Sequence, residues 1–304
     1  MSTHTLSASC PDWATALCNG FSQIFLQRHP LCGVCCLLAI LISAPTLLGG
    51  ALLGAIAGLL TAQRRGYAKV QRQSGLYSYN GVLLGLLLSH QMPWSALLPL
   101  LIIASAGLSS MLTHQWLKRA THTHSLMAYT APFVALGWLL LHLSQALPTS
   151  GPPPTVSVSG LSVIQGVFSG IGQVMFLQHP IAGVLIVIGL WLSQRRAAVW
   201  ALAGSIAGLA FSLYQHDTHA ALTGLGGYNA ALAALALSQH SRRPWLPLIG
   251  IALALLLTPG FSALGLPVLT APFILSCWLV HASLRLLRPA PAAPHEQDRL
   301  RIER

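Results

Sequence analysis

Residues 23–34, QIFLQRHPLCGV, return without a gap as residues 173–184, QVMFLQHPIAGV. Three further pairs of segments repeat in the same order along the chain. These are 54–59 and 204–209 (GAIAGL and GSIAGL), 75–80 and 224–229 (GLYSYN and GLGGYN), and 130–133 and 270–273 (TAPF in both), the last followed at equal distance by Trp138 and Trp278. Four ordered matches indicate two copies of one unit, and internal repeats of this size are frequent in transporters.

The composition indicates a membrane protein. Of 304 residues, 54% are hydrophobic and 7% are charged, whereas an ordinary soluble domain has about a quarter charged residues. At about 20 residues for each spanning helix, this length holds roughly nine to eleven spans and leaves no room for a soluble enzyme domain. The 16 basic residues outnumber the 5 acidic ones. They stand in small groups between apolar runs, which is typical of cytoplasmic loops and argues against a nucleic-acid partner.

Apolar runs divide each copy into five predicted spans. The fold class is therefore an all-α polytopic membrane protein with ten transmembrane helices. The first copy, residues 1–147, contains runs at 31–44, 47–62, 76–90, 93–112 and 126–147; the second, residues 161–288, contains runs at 180–192, 197–213, 221–237, 245–257 and 269–287. Residues 148–160, rich in Pro, Ser and Thr, are predicted to be a linker loop, and residues 289–304 a cytoplasmic tail.

Because each copy has an odd number of spans, the second copy crosses the membrane in the opposite orientation to the first. The copies are then inverted repeats, related by a pseudo-two-fold axis in the membrane plane. If the loop at 43–46 lies outside, all 16 Lys and Arg residues fall on one side of the membrane, as the positive-inside rule requires. Both termini are then predicted to be cytoplasmic.

A short amphipathic stretch precedes the first span of each copy, at residues 13–27 and 162–178. We interpret both as re-entrant pore helices, because half-helices that end inside a membrane occur only where their free backbone groups line a cavity. Each carries a glutamine at the matched position, Gln23 or Gln173. The alternative is that these amides only join neighbouring helices by hydrogen bonds.

Thr130 and Thr270 each stand two residues before a proline, Pro132 or Pro272. If these prolines lie inside helices, they free the carbonyls one turn earlier as acceptors. Counted along a helix from Arg119, Thr130 lies about 16 Å deep, roughly half the hydrocarbon thickness. We therefore expect the two threonines to meet at the bilayer centre. The alternative is a hydroxyl bonded back to its own helix.

Tyr79 and Leu83 are four residues apart, as are Tyr228 and Leu232, so each pair shares one helix face. These pairs either pack in a core or form two apolar walls across a slot. The predicted spans carry no acidic residue, and a slot with oxygen acceptors and no charge suits a small, flat, neutral solute that donates hydrogen bonds. No cofactor motif is present, no metal site is predicted, and the Cys-x-x-Cys spacing in the first span is expected to be inert.

The segment 75–85, GLYSYNGVLLG, resembles the signature of the urea transporter family, bacterial type. The paired glutamine segments, the Thr-x-Pro-Phe segments with their tryptophans, and GLGGYN resemble the same family, from Asn19 to Trp278. The resemblance implies a homotrimer in the inner membrane, with passive, channel-like transport of urea in single file through each subunit. It departs from the family pattern at Tyr79 and Tyr228, where phenylalanine is frequent, and at Leu26, where an aromatic residue is usual.

The resemblance also implies roles for individual residues. Gln23 and Gln173 match a ladder of oxygens that accept hydrogen bonds from urea, and Thr130 with Thr270 matches the narrow centre of the pore. The matched wall residues are Leu26, Tyr79, Leu83, Phe176, Tyr228 and Leu232.

Three alternatives stay open at this point. The same fold can conduct short amides, ammonia or water. A nonconducting sensor is the second alternative, and an integral-membrane enzyme with histidine or cysteine at a metal is the third.

Overall fold

The protein is described by a computed structural model that covers residues 12–122, 126–144, 159–240 and 242–287. Within those ranges the secondary structure is helical, and β-strands are absent. The helices are α1 (Asp12–Ser22), α2 (Pro30–Ser43), α3 (Pro45–Arg64), α4 (Lys69–Gln73), α5 (Tyr79–Gln91), α6 (Leu97–His122), α7 (Ala131–Ser144), α8 (Gly160–Gly172), α9 (Pro180–Ser193), α10 (Arg195–Tyr214), α11 (Thr218–Thr223), α12 (Tyr228–His240), α13 (Trp245–Ala263) and α14 (Ala271–Leu286). The elements from α1 to α7 recur in the same order from α8 to α14.

Two helix pairs are sharply bent at matched positions. Helix α1 continues as a 3-10 turn, Gln23–Phe25, and the chain then turns by 77° into α2. Helix α8 continues as the 3-10 turn Gln173–Met175 and turns by 76° into α9. At both turns a non-glycine residue has a left-handed backbone, Leu26 with φ 56° and Phe176 with φ 61°. Because bulky residues rarely adopt this region, the surrounding packing must hold both turns in place.

Glycines allow the bent pairs to pack closely. A Cβ atom on Gly33 of α2 would overlap the backbone carbonyl of Cys18 in α1. A Cβ atom on Gly183 of α9 would overlap the backbone carbonyl of Phe168 in α8 in the same way. Each short helix therefore lies directly against the backbone of the helix that follows it, and both crossings need a residue without a side chain.

The helices have the length and composition of membrane spans. Helices α3, α10, α13 and the segment Leu97–Arg119 of α6 are long and apolar enough to cross a membrane, and the total is six if each bent pair is one span. Helices α7 and α14 are apolar but shorter. The chain is a helical, multi-pass membrane protein.

The two halves share one hydrophobic core. Helix α2 packs on α9 across the halves, and a single cluster of buried apolar side chains contains residues from both. Helices α5 and α12, of 13 residues each, are buried over most of their length. At 1.5 Å per residue such a helix is about 20 Å long, shorter than a hydrocarbon core of about 30 Å.

Several helix ends differ from the predicted runs. Helix α6 continues to His122, well beyond residue 112, because its polar last turns keep the helical hydrogen bonds although they end the apolar run. Helix α13 likewise continues to Ala263 with Pro259 inside it. The runs that were expected to start at 76 and 221 start as helices at Tyr79 and Tyr228. Before Tyr228, the left-handed Gly224 ends the separate short helix α11.

The proline prediction needs correction. Helices α7 and α14 begin at Ala131 and Ala271, so Pro132 and Pro272 are second residues of helices, where proline is tolerated. The carbonyls of residues 128 and 268 are not free: they accept hydrogen bonds from the amides of Ala131 (3.0 Å) and Ala271 (3.2 Å). The segment before α7 is not helical at residues 126–130, so a helical count from Arg119 does not give the depth of Thr130.

Candidate functional site

Thr130 and Thr270 meet between the two halves. Their hydroxyl oxygens are 2.7 Å apart, and each side chain is 3% exposed. Each threonine directly precedes a helix, α7 or α14, and follows a residue with positive φ, Tyr129 (43°) or Leu269 (41°). The expected meeting is thus present, but it results from two helix starts that face each other.

Two tryptophans form a matched pair of hydrogen bonds between the same two segments. The indole nitrogen of Trp138 in α7 donates to the carbonyl of Pro267 at 2.7 Å, and that of Trp278 in α14 donates to the carbonyl of Met127 at 2.8 Å. Each tryptophan stands eight residues after its threonine, and each carbonyl stands three residues before the other threonine. The segments around α7 and α14 therefore exchange equal contacts.

The hydroxyl of Tyr79 reaches the same place from α5. It donates a hydrogen bond to the carbonyl of Tyr129, the residue before Thr130. The Tyr129 ring packs edge to face against Phe273 of the other half, with ring centres 5.1 Å apart. Tyr79 thus connects a central helix to the backbone beside the threonine pair.

The neighbouring asparagines differ between the halves. Asn229 in α12 donates to the carbonyl of Leu269 at 3.0 Å and accepts from the amide of Phe273 at 3.2 Å. Phe273 is the third residue of α14, so its amide has no acceptor within its own helix. Asn80 in α5 donates to the hydroxyl of Thr113 at 3.2 Å, while its side-chain oxygen is buried without a hydrogen-bond partner in the described part of the chain.

A first cavity, of about 670 Å³, opens next to the first bent pair. Its lining brings together three of the residues singled out in the sequence, Gln23, Leu26 and Tyr79, and it extends to Tyr129 beside the threonine pair. Further lining groups are Gln27, Arg28, Gln194, Gln239 and His240. The lining of the first cavity thus combines apolar side chains with amide groups and the guanidinium group of Arg28.

A second cavity, of about 550 Å³, lies at the second bent pair and includes Phe176. Its lining contains the repeat counterparts of first-cavity residues. Phe176 corresponds to Leu26, Ala44 to Gln194, and His90 to Gln239. The Phe176 ring packs edge to face against Phe133, three residues after Thr130, with ring centres 6.4 Å apart. The two cavities therefore have lining residues at matched positions of the two halves.

The paired glutamines have different surroundings. Both are 7% exposed. Gln23 lines the first cavity, and its side-chain oxygen is buried without a hydrogen-bond partner among the described residues. Gln173 instead donates to the carbonyl of Thr223 at 3.0 Å. The amide of Gln23 therefore keeps an unused acceptor, while that of Gln173 joins two parts of the fold.

The remaining candidate residues are not brought together with these. Leu83 and Leu232 are buried in the common core at 0% and 1% exposure. Tyr228 lines a separate cavity of about 520 Å³ with Thr258 and Val268. Of the two interpretations of the tyrosine–leucine faces, packing in the core therefore holds for both leucines.

Sequence reasoning did not single out Gln194, Gln239 or His90, which line the two cavities, nor the bridging role of Asn229. The repeat alignment carried a usable signal, because it pairs Gln239 with His90 at the ends of α12 and α5. The described residues contain no group of three or more His, Cys, Asp or Glu side chains that could hold a metal ion.

Comparison with known proteins identifies the family of this chain. The model of a family described as "Urea transporter" matches residues 14–284. Urea transporter 1 of Ovis aries is 27% identical to this chain, over 88% of the chain and 75% of that protein. Urea transporter 1 of Mus musculus is 27% identical, over 74% of the chain and 62% of that protein. Because the family match covers nearly all of the helical region, this chain belongs to the urea transporter family, whose members are transporters and not enzymes.

Proposed function

We propose that this protein is a passive channel for urea. The family and the names of its relatives support urea as the solute. The observation that carries the proposed route is the threonine pair, whose Oγ1 atoms are 2.7 Å apart. Tyr129, the residue before Thr130, lines the first cavity, and Phe176 of the second cavity packs against Phe133, three residues after Thr130. A solute that crosses from one cavity to the other passes this pair.

Oxygen acceptors offset the loss of water along the proposed route. Leaving an amide-like group without a hydrogen bond costs roughly 1–3 kcal/mol. The side-chain oxygen of Gln23 and the hydroxyls of Thr130 and Thr270 are acceptors that the amino groups of urea can use one after another. Conduction also requires release, so several weak sites serve better than one tight site.

Apolar groups form the proposed walls. Leu26 and Tyr79 line the first cavity, and Phe176 lines the second. In the proposal, Tyr228 is also a wall residue, at its own cavity, and Leu83 and Leu232 support the walls from the core. The proposed wall residues themselves are uncharged, which favours a neutral solute over an ion.

The proposed topology has ten spans in two inverted repeats. The spans are α2, α3, α5, α6 and α7, then α9, α10, α12, α13 and α14, with α1 and α8 as re-entrant pore helices. The repeats occupy residues 1–147 and 161–288, joined by the linker 148–160 and followed by the tail 289–304. This arrangement puts the basic residues on the cytoplasmic side of the inner membrane, together with both termini. A homotrimer, with a pore in each subunit, is part of the proposal.

A second candidate solute is a short amide. Leu26 stands in the first cavity where Phe176 stands in the second. An aliphatic side chain there gives a wider slot than two aromatic rings and admits a methyl group beside the amide.

Stopped-flow light scattering on liposomes that contain the purified protein tests the proposal. Inward gradients of urea, acetamide, ammonia and an impermeant osmolyte are compared with those on empty liposomes. We expect fast urea flux that saturates weakly and does not change with proton or sodium gradients. Urea flux equal to that of empty liposomes, from protein that stays folded, would overturn the proposal. Faster flux of acetamide than of urea would make a short amide the solute in place of urea.

A further inference from the structure

A further groove lies between α6, α7 and α14, and neither Thr130 nor Thr270 lines it. Its volume is about 790 Å³ and its lining is mostly apolar, including Leu112, Pro132 and Ala135. Two tryptophans, Trp116 and Trp278, also line it. The groove opens on the outer surface of the helical bundle, since Leu112 and Ala135 are exposed. In a multi-pass membrane protein, such a surface faces lipid or another protein.

The two tryptophans are held in place by the backbone. The indole nitrogen of Trp116 donates to the carbonyl of Leu126 at 2.8 Å, and that of Trp278 donates to the carbonyl of Met127 at 2.8 Å. Their rings stack at 5.6 Å with an interplanar angle of 19°. Because both indole N–H groups are used, the rings present apolar faces to the groove. A tryptophan that combines an apolar ring with a hydrogen-bonded N–H group is typical of the boundary between lipid tails and headgroups.

Two arginines line the same groove at one end. Arg119 comes one helical turn after Trp116 in α6, and Arg285 comes two turns after Trp278 in α14. Both side chains are exposed. The planar guanidinium group matches the geometry of phosphate and can bind two of its oxygens at once.

The other half of the protein contains the same arrangement without these charges. Trp138 packs near Phe261 there, with ring centres 6.0 Å apart, and Trp138 donates to the carbonyl of Pro267. Phe261 corresponds to Trp116. The residue three positions after Trp116 is Arg119, whereas the residue three positions after Phe261 is Leu264, which is 74% exposed. Trp138 corresponds to Trp278. The residue seven positions after Trp278 is Arg285, whereas the residue seven positions after Trp138 is a glutamine. Packing of the aromatic pair therefore does not require the arginines.

We propose that the groove between α6, α7 and α14 binds one anionic phospholipid, with its phosphate between Arg119 and Arg285 and an acyl chain along the tryptophans. Basic pockets between membrane helices near the cytoplasmic surface bind anionic headgroups, and the inner leaflet carries such lipids. The charge at one end and the apolar lining of the rest match both parts of a phospholipid. The inference assumes that these helices lie in a membrane with the arginine end at the cytoplasmic surface, and urea transport need not hold for it to stand.

Lipid binding is measurable without any flux assay. The full-length protein in a mild detergent is titrated with dioleoyl phosphatidylglycerol or dioleoyl phosphatidylcholine, and bound lipid is counted by native mass spectrometry while the Tm is recorded. We expect phosphatidylglycerol to bind and to raise the Tm more than phosphatidylcholine does. Inorganic phosphate at equal concentration is expected to leave the Tm unchanged, because it lacks the acyl chains.

Variants at the two arginines complete the test. In the double variant R119Q/R285Q, affinity for phosphatidylglycerol is expected to fall about thirtyfold, which corresponds to about 1 kcal/mol for each cation lost. R119K/R285K keeps the charge and should keep most of the binding. R64Q/R65Q removes the same charge from the end of α3 and should bind as the parent does. Equal binding of phosphatidylglycerol by R119Q/R285Q and the parent would overturn the proposal, as would equal affinity of the parent for both lipids. Loss of phosphatidylglycerol binding on dilution to monomers would also overturn it, because a second copy would then form the site.

Discussion

Thr130 and Thr270 are 140 residues apart in the chain, yet their hydroxyl oxygens are 2.7 Å apart. The contact joins the starts of α7 and α14, and the reciprocal bonds of Trp138 and Trp278 hold those starts at both sides. A hydroxyl pair at a helix start keeps lone pairs available, whereas a threonine inside a helix would bond back to its own carbonyl. The relation explains why the same four-residue segment, TAPF, is present in both halves.

Replacing both threonines with valine is expected to lower urea flux about tenfold or more. The double variant T130V/T270V removes two acceptors from the proposed route, and each unmet N–H group costs roughly 1–3 kcal/mol. The measurement is stopped-flow urea flux in liposomes. T61V is the control, since Thr61 donates to the carbonyl of Ala57 within its own helix at 2.8 Å. Parental flux in a folded T130V/T270V protein would contradict the acceptor role.

The paired glutamines are expected to respond differently to leucine. Q23L removes an acceptor without a partner in the described part of the chain, so urea flux should fall while the Tm stays close to that of the parent. Q173L breaks the bond to the Thr223 carbonyl and should lower stability by about 1 kcal/mol. Flux and Tm are measured for both variants on the same preparations. A Q23L protein with unchanged flux would remove Gln23 from the proposed ladder.

The paired asparagines differ in what they stabilise. Asn229 satisfies both the half-buried Leu269 carbonyl and the buried Phe273 amide, so N229L leaves both of these backbone groups unpaired. Asn80 donates to one hydroxyl, so N80L leaves fewer groups unpaired. We expect N229L to lower the free energy of unfolding by about 1 kcal/mol more than N80L does, in line with the cost of an unsatisfied buried group. Thermal unfolding in detergent measures both, and an equal loss of Tm would show that the extra bonds of Asn229 add nothing.

Alanine at the helix crossings is expected to disturb folding. In G33A the new Cβ would overlap the Cys18 carbonyl, and in G183A it would overlap the Phe168 carbonyl. Overpacking of this kind costs typically 1–3 kcal/mol, and backbone on the opposite side leaves little room to relax. Yield of folded protein and Tm should fall for both variants. G260A is the control because, in the described part of the chain, no atom beyond its own stretch of helix lies within 4 Å of the added Cβ. A fall in its Tm as large as that of G33A would point to a general effect of alanine.

The repeat and the apolar runs were visible in the sequence because both depend on neighbours along the chain. Residues 23–34 and 173–184 align without any structure, and they lead to Gln23, Leu26 and Phe176. The structure has both segments as matched bent turns, at 77° and 76°. Helix ends were harder to predict: α6 continues through polar residues to His122, since backbone hydrogen bonding does not stop where hydrophobicity falls.

Hydropathy alone was enough to identify a helical membrane protein, because burial of apolar surface follows directly from residue type and spacing, and the sequence repeat predicts two related halves. Which polar groups meet depends on the tertiary structure. Thr130 bonds with Thr270, and Tyr79 with the Tyr129 carbonyl, whereas Leu83 turns into the core. Asn80 and Asn229 occupy matched positions and yet have different partners. A hydrogen bond depends on distance and angle to within a few tenths of an ångström, and that geometry is set by how distant helices pack against one another.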